Sequence, residues 1–427
     1  MTPMKTCLLV AALTLVPAVA AAQESSLAAL RPGASTPSGA IALGRALRRA
    51  GRFEEAARVL NGVRDPSLRA EARWEAARVR IDQGAYRPAQ AACNAIPAGQ
   101  RRRVCLARAY LVWQRVALAE RELNAARSMS AGDGELQLAT GDARRMAADL
   151  GAAESAYREA AQAMPDRPEP QLGLGALAEV AQRLDESEAA YRRAVAADPT
   201  DPQSALALGQ FMLRRRGNAA AALPLLQRAT ADRPQWPEAL TALGQALVAT
   251  GEGAGARAAF ESALRISPTQ TGAQAGLGRA LLALQLWAEA EAPFRRAIAQ
   301  VGTDASAYAG LAEVLEHTQR EPEAMQAWDG AIDRAPGDTA IRLRAAQLAH
   351  RTQQNALARA YVDRVLTDAP RHAPALVLRG IIATEEGDRN AARAALTAAL
   401  SGEGAIDRAA VEQRLRELDQ PSRPRRR

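Results

Sequence analysis

Lysine is nearly missing from this 427-residue sequence: of 55 basic residues only Lys5 is a lysine, and the rest are arginine. Aromatic residues are scarce too, at 4% of the chain, while apolar residues reach 48%, much of it alanine. A large globular core leans on Phe, Tyr and Trp for buried area. Without them, the chain is expected to pack small side chains closely, as stacked helices do. Cysteines and histidines number three each, too few cysteines for a disulfide-dense scaffold, and the composition excludes collagen and wholesale disorder. Beyond one run from Cys7 to Val19, no stretch approaches the eighteen or so apolar residues that cross a bilayer.

That run belongs to the N-terminus. Met1-Thr2-Pro3-Met4-Lys5 supplies one positive charge, and Ala20-Ala21-Ala22-Gln23 follows the apolar stretch. A positive charge, a short apolar run and small residues are the layout of a secretory leader. Residues 1–22 are therefore expected to be removed by a cut after Ala22, leaving an exported, periplasmic chain without a transmembrane segment. Cys7 precedes the apolar run, which argues against a lipid-anchored cysteine. Cys93 and Cys105 remain, 12 positions apart. They have two readings: a single disulfide in an oxidising compartment, or two small thiols buried in a helical core. No histidine lies near them in sequence, so a metal site is not expected.

The body of the chain is periodic. Pro165, Pro199, Pro234, Pro268, Pro336 and Pro370 follow one another at 34, 35, 34, 68 and 34, with Gly302 at the missing step. Proline cannot continue a helix, so each marks a handover between units. Inside one unit, Leu240, Leu243 and Leu247 stripe a first helix, and Gly251, Gly253 and Gly255 permit a turn. Ala256, Phe260, Ala263 and Leu264 then stripe a second helix. The same series recurs as Ala290, Phe294 and Ala297, as Ala324, Trp328 and Ala331, and earlier around Tyr157 and Tyr191. Pro224 and Pro293 fall inside second helices, where each removes a backbone hydrogen bond and is expected to kink its unit.

This pattern resembles the tetratricopeptide repeat family: a small residue in each helix, as at Gly209, Gly244 and Gly278, an aromatic, and a closing proline. The resemblance implies an all-α fold, a right-handed α-solenoid of about eleven helix–turn–helix units over residues 37–404. Residues 23–36 read as a lead-in, 405–419 as a capping helix, and 420–427 as a disordered basic tail. It implies a protein-interaction scaffold whose first helices line a concave groove for peptide or helix segments of partner proteins. The inward positions carried over are Asp142, Leu172, Ala176, Gln210, Gln245, Arg279, Glu313 and Gln347. Leu206 and Leu213 add apolar contacts, and His317 and His350 fall near the same face. Exported members of the family often assist secretion, pilus or exopolysaccharide assembly, so envelope assembly components are the expected partners.

Chemistry is not apparent. There is no HExxH pattern, nucleophile elbow or P-loop, and no cofactor, metal or enzymatic activity is expected. Three stretches imitate a dinucleotide fingerprint, at Gly173, Gly251 and Gly276, but lack the strand that must precede it; they read as packing and turn glycines. His317 and His350 stand one unit apart and read more simply as solvated polar residues than as a pH sensor or metal pair. The formal charge is +8, with clusters at Arg101–Arg103, Arg214–Arg216 and Arg425–Arg427. The export leader and the lack of stacking aromatics disfavour nucleic acid. The alternative to a groove binder is an electrostatic binder of anionic envelope polymer or lipid, acting through these clusters and the basic tail.

Overall fold

The computed structural model describes residues 27–130 and 132–419; the expected leader and basic tail lie outside the described residues. Among the described residues the structure is all-α: twenty-two helices form eleven antiparallel pairs from Pro37 to Leu400, preceded by a short 3-10 helix at Pro32–Ser35 and followed by a last helix, Arg408–Asp419. The chain forms two compact units, Met1–Pro268 and Thr269–Arg427. The repeat period alone suggests one uninterrupted stack. The division falls at a handover proline followed by Thr-Gln-Thr-Gly, and the next helix, Ala273–Ala283, has 11 residues where its counterparts Pro237–Ala249 and Ala305–His317 have 13.

Unit one holds seven pairs. Their first helices are Pro37–Arg49, Arg69–Asp82, Gln100–Val112, Gly134–Met146, Pro168–Val180, Pro202–Arg214 and Pro237–Ala249. Each is followed, after a short turn, by a second helix: Phe53–Asn61, Tyr86–Asn94, Val116–Arg127, Leu150–Ala163, Leu184–Ala197, Ala219–Asp232 and Gly253–Ile266. Unit two holds four pairs, Ala273–Ala283 with Trp287–Gln300, Ala305–His317 with Glu321–Arg334, Thr339–Arg351 with Asn355–Asp368, and Ala373–Glu385 with Arg389–Leu400. Pro224 and Pro293 sit inside 14-residue second helices that run through them.

Close approach within a pair explains the alanine excess. Ala256, Phe260 and Ala263 are all 0% exposed, and the Phe260 ring presses on Gly244 so closely that a Cβ there would lie 2.7 Å from it. Gly278 faces Phe294 in the same way, and Tyr157 sits against both Gly141 and Gly173. A single large side chain thus fills the gap that small residues on the facing helix leave open. At the C-terminus, Val411 and Leu418 of the last helix pack with Ala392 and Leu396, covering the apolar face that the final pair would otherwise expose. Cys93 and Cys105 are joined in a disulfide with Cα atoms 5.5 Å apart, and both are fully buried. It ties Tyr86–Asn94 to Gln100–Val112, and closing so short a loop contributes about 3 kcal/mol in the chain-entropy view.

Every pair turns through one residue with positive φ. Glycine holds that place at positions 51, 84, 217, 251 and 387, whereas Gln114, Ala148, Gln182, Gln285, Gln319 and Gln353 hold it elsewhere. A residue with a Cβ in this conformation costs about 1–2 kcal/mol, partly offset by the lower entropy of its unfolded chain. Ala148→Gly is therefore expected to raise stability by about 0.5–1 kcal/mol, and Gly251→Ala to lower it by a similar amount. Denaturant midpoints check this, and an Ala148→Gly protein less stable than its parent would contradict the turn strain.

Candidate functional site

In unit one, the residue directly after the small position of each first helix faces the concave side. In the first four pairs these are Arg45, Arg78, Arg108 and Asp142, following Gly44, Ala77, Ala107 and Gly141. An arginine turned inward needs an anion, because burying an unpaired charge is costly. The anions come from the next pair, from the same helix and, for Arg78, from a pair three further along. Arg45 bonds Glu71 at 2.5 Å and Glu75 at 2.8 Å. Arg78 reaches Glu75 at 3.6 Å and Glu169 at 2.8 Å. Arg167 bonds Glu169 at 2.7 Å and Glu135 at 3.0 Å, and Glu135 also takes Arg108 at 2.9 Å. Together they form one alternating chain: Glu71, Arg45, Glu75, Arg78, Glu169, Arg167, Glu135, Arg108. Its members come from the first helices of pairs one to five, with Arg167 at the N-cap of the fifth.

The centre of this chain is the most buried part, with the Glu75 side chain 3% and the Arg78 side chain 7% exposed. Burial pushes the Glu169 carboxyl upward, but the hydrogen bonds and charge of Arg167 and the charge of Arg78 outweigh it, holding it well below the usual carboxylate range. Glu75 and Glu135 follow the same balance: burial raises them, and their arginines bring them below the ordinary value. Burial lowers the Arg78 guanidinium to about 10, helped by repulsion from Arg48. Asp142 differs. Burial raises its pKa, even though its Oδ1 accepts a 2.7 Å bond from the Tyr157 hydroxyl. That hydroxyl in turn accepts from Arg145 at 3.3 Å.

Beside the chain lies a cavity of about 510 Å³, lined by Arg48, Arg49, Arg78, Arg108, Arg145 and Arg233 together with Asp82, Asp142, Glu169 and Asp201. The Nε atoms of Arg48 and Arg78 are buried without an acceptor among the described residues. The cavity is closed on one side by contacts between sequence-distant pairs. Arg49 bonds Asp198 at 2.8 Å and donates to the Thr200 hydroxyl at 3.1 Å. The Arg233 guanidinium sits 5.1 Å from the Phe53 ring centroid and 4.5 Å from that of Trp236. It also lies against Gly51, where a Cβ would come 2.8 Å from its Nε. Each of these closing contacts is worth about 1 kcal/mol or less.

The groove residues expected from sequence do not form one site. Asp142, Leu172 and Ala176 line the cavity. Leu206 is corrected: it is 5% exposed and packs in the core with Phe211 and Met212, because its position turns toward the second helices. Leu213 is half-buried against the same core. Gln210 accepts from Arg214 at 3.0 Å, and Gln245 is half-buried one pair further on. In unit two, Arg279 is exposed, and Glu313 pairs with Arg344 at 3.5 Å. Gln347 borders an apolar groove with Val377 and Ile381. His317 stacks on Trp287 with centroids 3.7 Å apart, while His350 bonds Glu385 at 3.0 Å, so the two histidines have separate surroundings. Among the described residues no cluster of His, Cys, Asp and Glu could hold a metal ion.

The ion chain went unread in the sequence. Its signal was the Asp142 register extended backwards, to Arg108, Arg78 and Arg45 at spacings of 34, 30 and 33. The arginine clusters read as free surface charge are largely engaged: Arg103 with Glu122, Arg215 with Glu179, and Arg216 with Glu188 and Asp185.

Models of the tetratricopeptide repeat match residues 138–202, 213–271 and 251–315. No curated protein matches the chain. Among solved structures, a tetratricopeptide repeat protein from Parabacteroides merdae is 20% identical, with a TM-score of 0.45, over 59% of this chain and 99% of that one. Pseudomonas aeruginosa pilF is 20% identical, with a TM-score of 0.42, over 47% of this chain and 90% of its own. Cut9–Hcn1 of the APC/C is 13% identical, with a TM-score of 0.47, over 90% of both chains.

The titration directions predict how stability follows pH. Glu75, Glu135 and Glu169 lie below their unfolded value of about 4.5, so their stabilisation is complete above that pH and is lost as pH falls through their folded values. Asp142 lies above its unfolded value of 3.8 and has the opposite sign: its ionisation removes stability as pH rises. Melting temperature is expected to hold from pH 7 to about 5 and then fall. Glu169→Ala is expected to cost about 3–5 kcal/mol at pH 7 and to blunt the acid fall. Asp142→Asn, which keeps an acceptor for Tyr157, is expected to cost little or nothing at pH 7. An acid fall undiminished in Glu169→Ala would contradict the assignment.

Proposed function

The chain belongs to the tetratricopeptide repeat family, and from that premise we propose that it is a non-catalytic scaffold of the bacterial envelope. It holds a polar segment of a partner protein against the concave side of its first helices. The observation that carries this reading is the cavity of unit one, where arginines and carboxylates held by their own ion pairs line a space open to solvent. Such preorganised polar groups orient a ligand that presents complementary donors and acceptors. A peptide backbone offers carbonyls at regular spacing. Gln203 at the cavity wall and Gln245 one pair beyond offer both donors and acceptors along the same path.

The placement outside the cytoplasm rests on the leader-like residues 1–22 and on the paired Cys93 and Cys105, since disulfides persist in oxidising compartments. Assistance to secretion, pilus or exopolysaccharide assembly is the process this placement favours.

The test is site-specific photo-crosslinking in intact cells, with the reactive residue at Gln203, at Gln245, or at Arg192 on the exposed side of a second helix. Adducts with an envelope protein are expected from Gln203 and Gln245 and not from Arg192. Adducts from Arg192 alone would contradict groove binding. Capture of cytoplasmic proteins alone would contradict the envelope placement.

A further inference from the structure

Nine large apolar side chains stand exposed among the described residues, and Val112, Trp113, Leu118, Leu150 and Val180 are five of them. All five lie at the turns inside pairs three to five. Val112 and Val180 end first helices, Leu150 begins a second helix, Leu118 lies in the first turn of another, and Trp113 stands between two. In a stack of helix pairs these turns share one edge, with successive pairs about 10 Å apart. Scattered exposed apolar residues are ordinary, but this row runs over three consecutive pairs and continues to an aromatic platform.

The platform is Trp113, 49% exposed, with its ring stacked on Tyr86 at 4.0 Å between centroids. Tyr110 lies 6.1 Å from Tyr86, and the Arg115 guanidinium lies 4.9 Å from the Trp113 centroid. Arg87 follows Tyr86, and Arg121 is one helical turn beyond Leu118. Arg87, Arg115 and Arg121 are all exposed, and among the described residues none of them pairs with a carboxylate. Glu120 and Glu122, on the same helix as Arg121, are taken by Arg144 and Arg103. The edge therefore carries free positive charge beside an apolar and aromatic ridge.

We propose that this turn edge docks on an anionic lipid surface. Trp and Tyr favour the headgroup level of a bilayer, where a ring is half apolar and half wet. Aliphatic side chains on protruding turns dip beneath it, and each arginine gains from anionic headgroups. The site shares no residue with the wall of the cavity in unit one, so the chain could sit on a membrane while that cavity stays open to a partner segment.

The test uses the full chain and sedimentation with vesicles, either phosphatidylcholine alone or phosphatidylcholine and phosphatidylglycerol in equal parts, at low salt. Binding is expected to be tighter to the anionic vesicles. Trp113→Ser with Leu118→Ser, and separately Arg87→Ala with Arg115→Ala and Arg121→Ala, should each lower partitioning by about tenfold or more. A chain ending at Gln420 and an Arg414→Ala, Arg416→Ala control should bind as the parent does. Circular dichroism and melting of each variant guard against loss of fold, and Trp113→Phe should retain most of the binding. Absence of binding to anionic vesicles would overturn the proposal. So would binding that both sets of substitutions leave unchanged, or binding lost only on removing the residues after Gln420. Unchanged vesicle binding with loss of a protein crosslink in the Trp113 variant would reassign the edge to a protein partner.

Discussion

A buried arginine on a stack of thin helices must be met by carboxylates, and those within reach lie on its own helix and on other pairs. That requirement organises the concave side of unit one. Arg45, Arg78 and Arg108 occupy the same register in three successive first helices; Glu75 and Glu135 each come from the next first helix along from Arg45 and Arg108, and Glu169 reaches Arg78 from pair five. Because each member between the two ends touches two of opposite sign, the chain ties five pairs together as well as neutralising itself. Breaking one link leaves a charge buried, which costs far more than the intact link contributes over an apolar replacement. Its value therefore lies in position: it sets where the fixed charges of the cavity stand.

Much of the fold was legible in the sequence, and the reason is local. A proline every 34 residues, a glycine opposite an aromatic, and an alanine on either side of it all report contacts within one pair or between adjacent pairs, and repeat architectures are built from such contacts. Gly244 with Phe260 and Gly278 with Phe294 are examples in which the packing partner lies 16 positions away. The first three pairs were harder to read. Their spacing departs from 34, and their inward residues are charged where Ala176, Gln210 and Gln245 are not. An arginine on a helix face usually reads as solvated, and only the carboxylates of neighbouring pairs show otherwise. The pairing of Cys93 with Cys105 was left open by sequence, since a spacing of 12 suits either a bond or two packed thiols.

The closure of the cavity was beyond any reading of period. Arg49 meets Asp198, and Arg233 meets Phe53, across separations of 149 and 180 residues. Nearest-neighbour repeats carry no sequence signal for contacts of that range. Their consequence is that the cavity of unit one, open to solvent, has one side built from contacts between distant pairs. The contacts that wall it are few, lie in turns, and are each weak, whereas the ion chain beneath them is buried and interlinked. A partner segment would meet a rigid floor and a side that separates at small cost.

The claim on which this account rests is that unit one is closed by Arg49 and Arg233 over an ordered floor of paired charges. Double electron–electron resonance between spin labels at Arg58 and Arg193, one on each side of the closure, tests it most directly. A single narrow distance distribution is expected in the parent protein, broadening toward longer distances when Arg49 and Arg233 are both changed to alanine. A broad distribution in the parent, or one that the two substitutions leave unchanged, would contradict it.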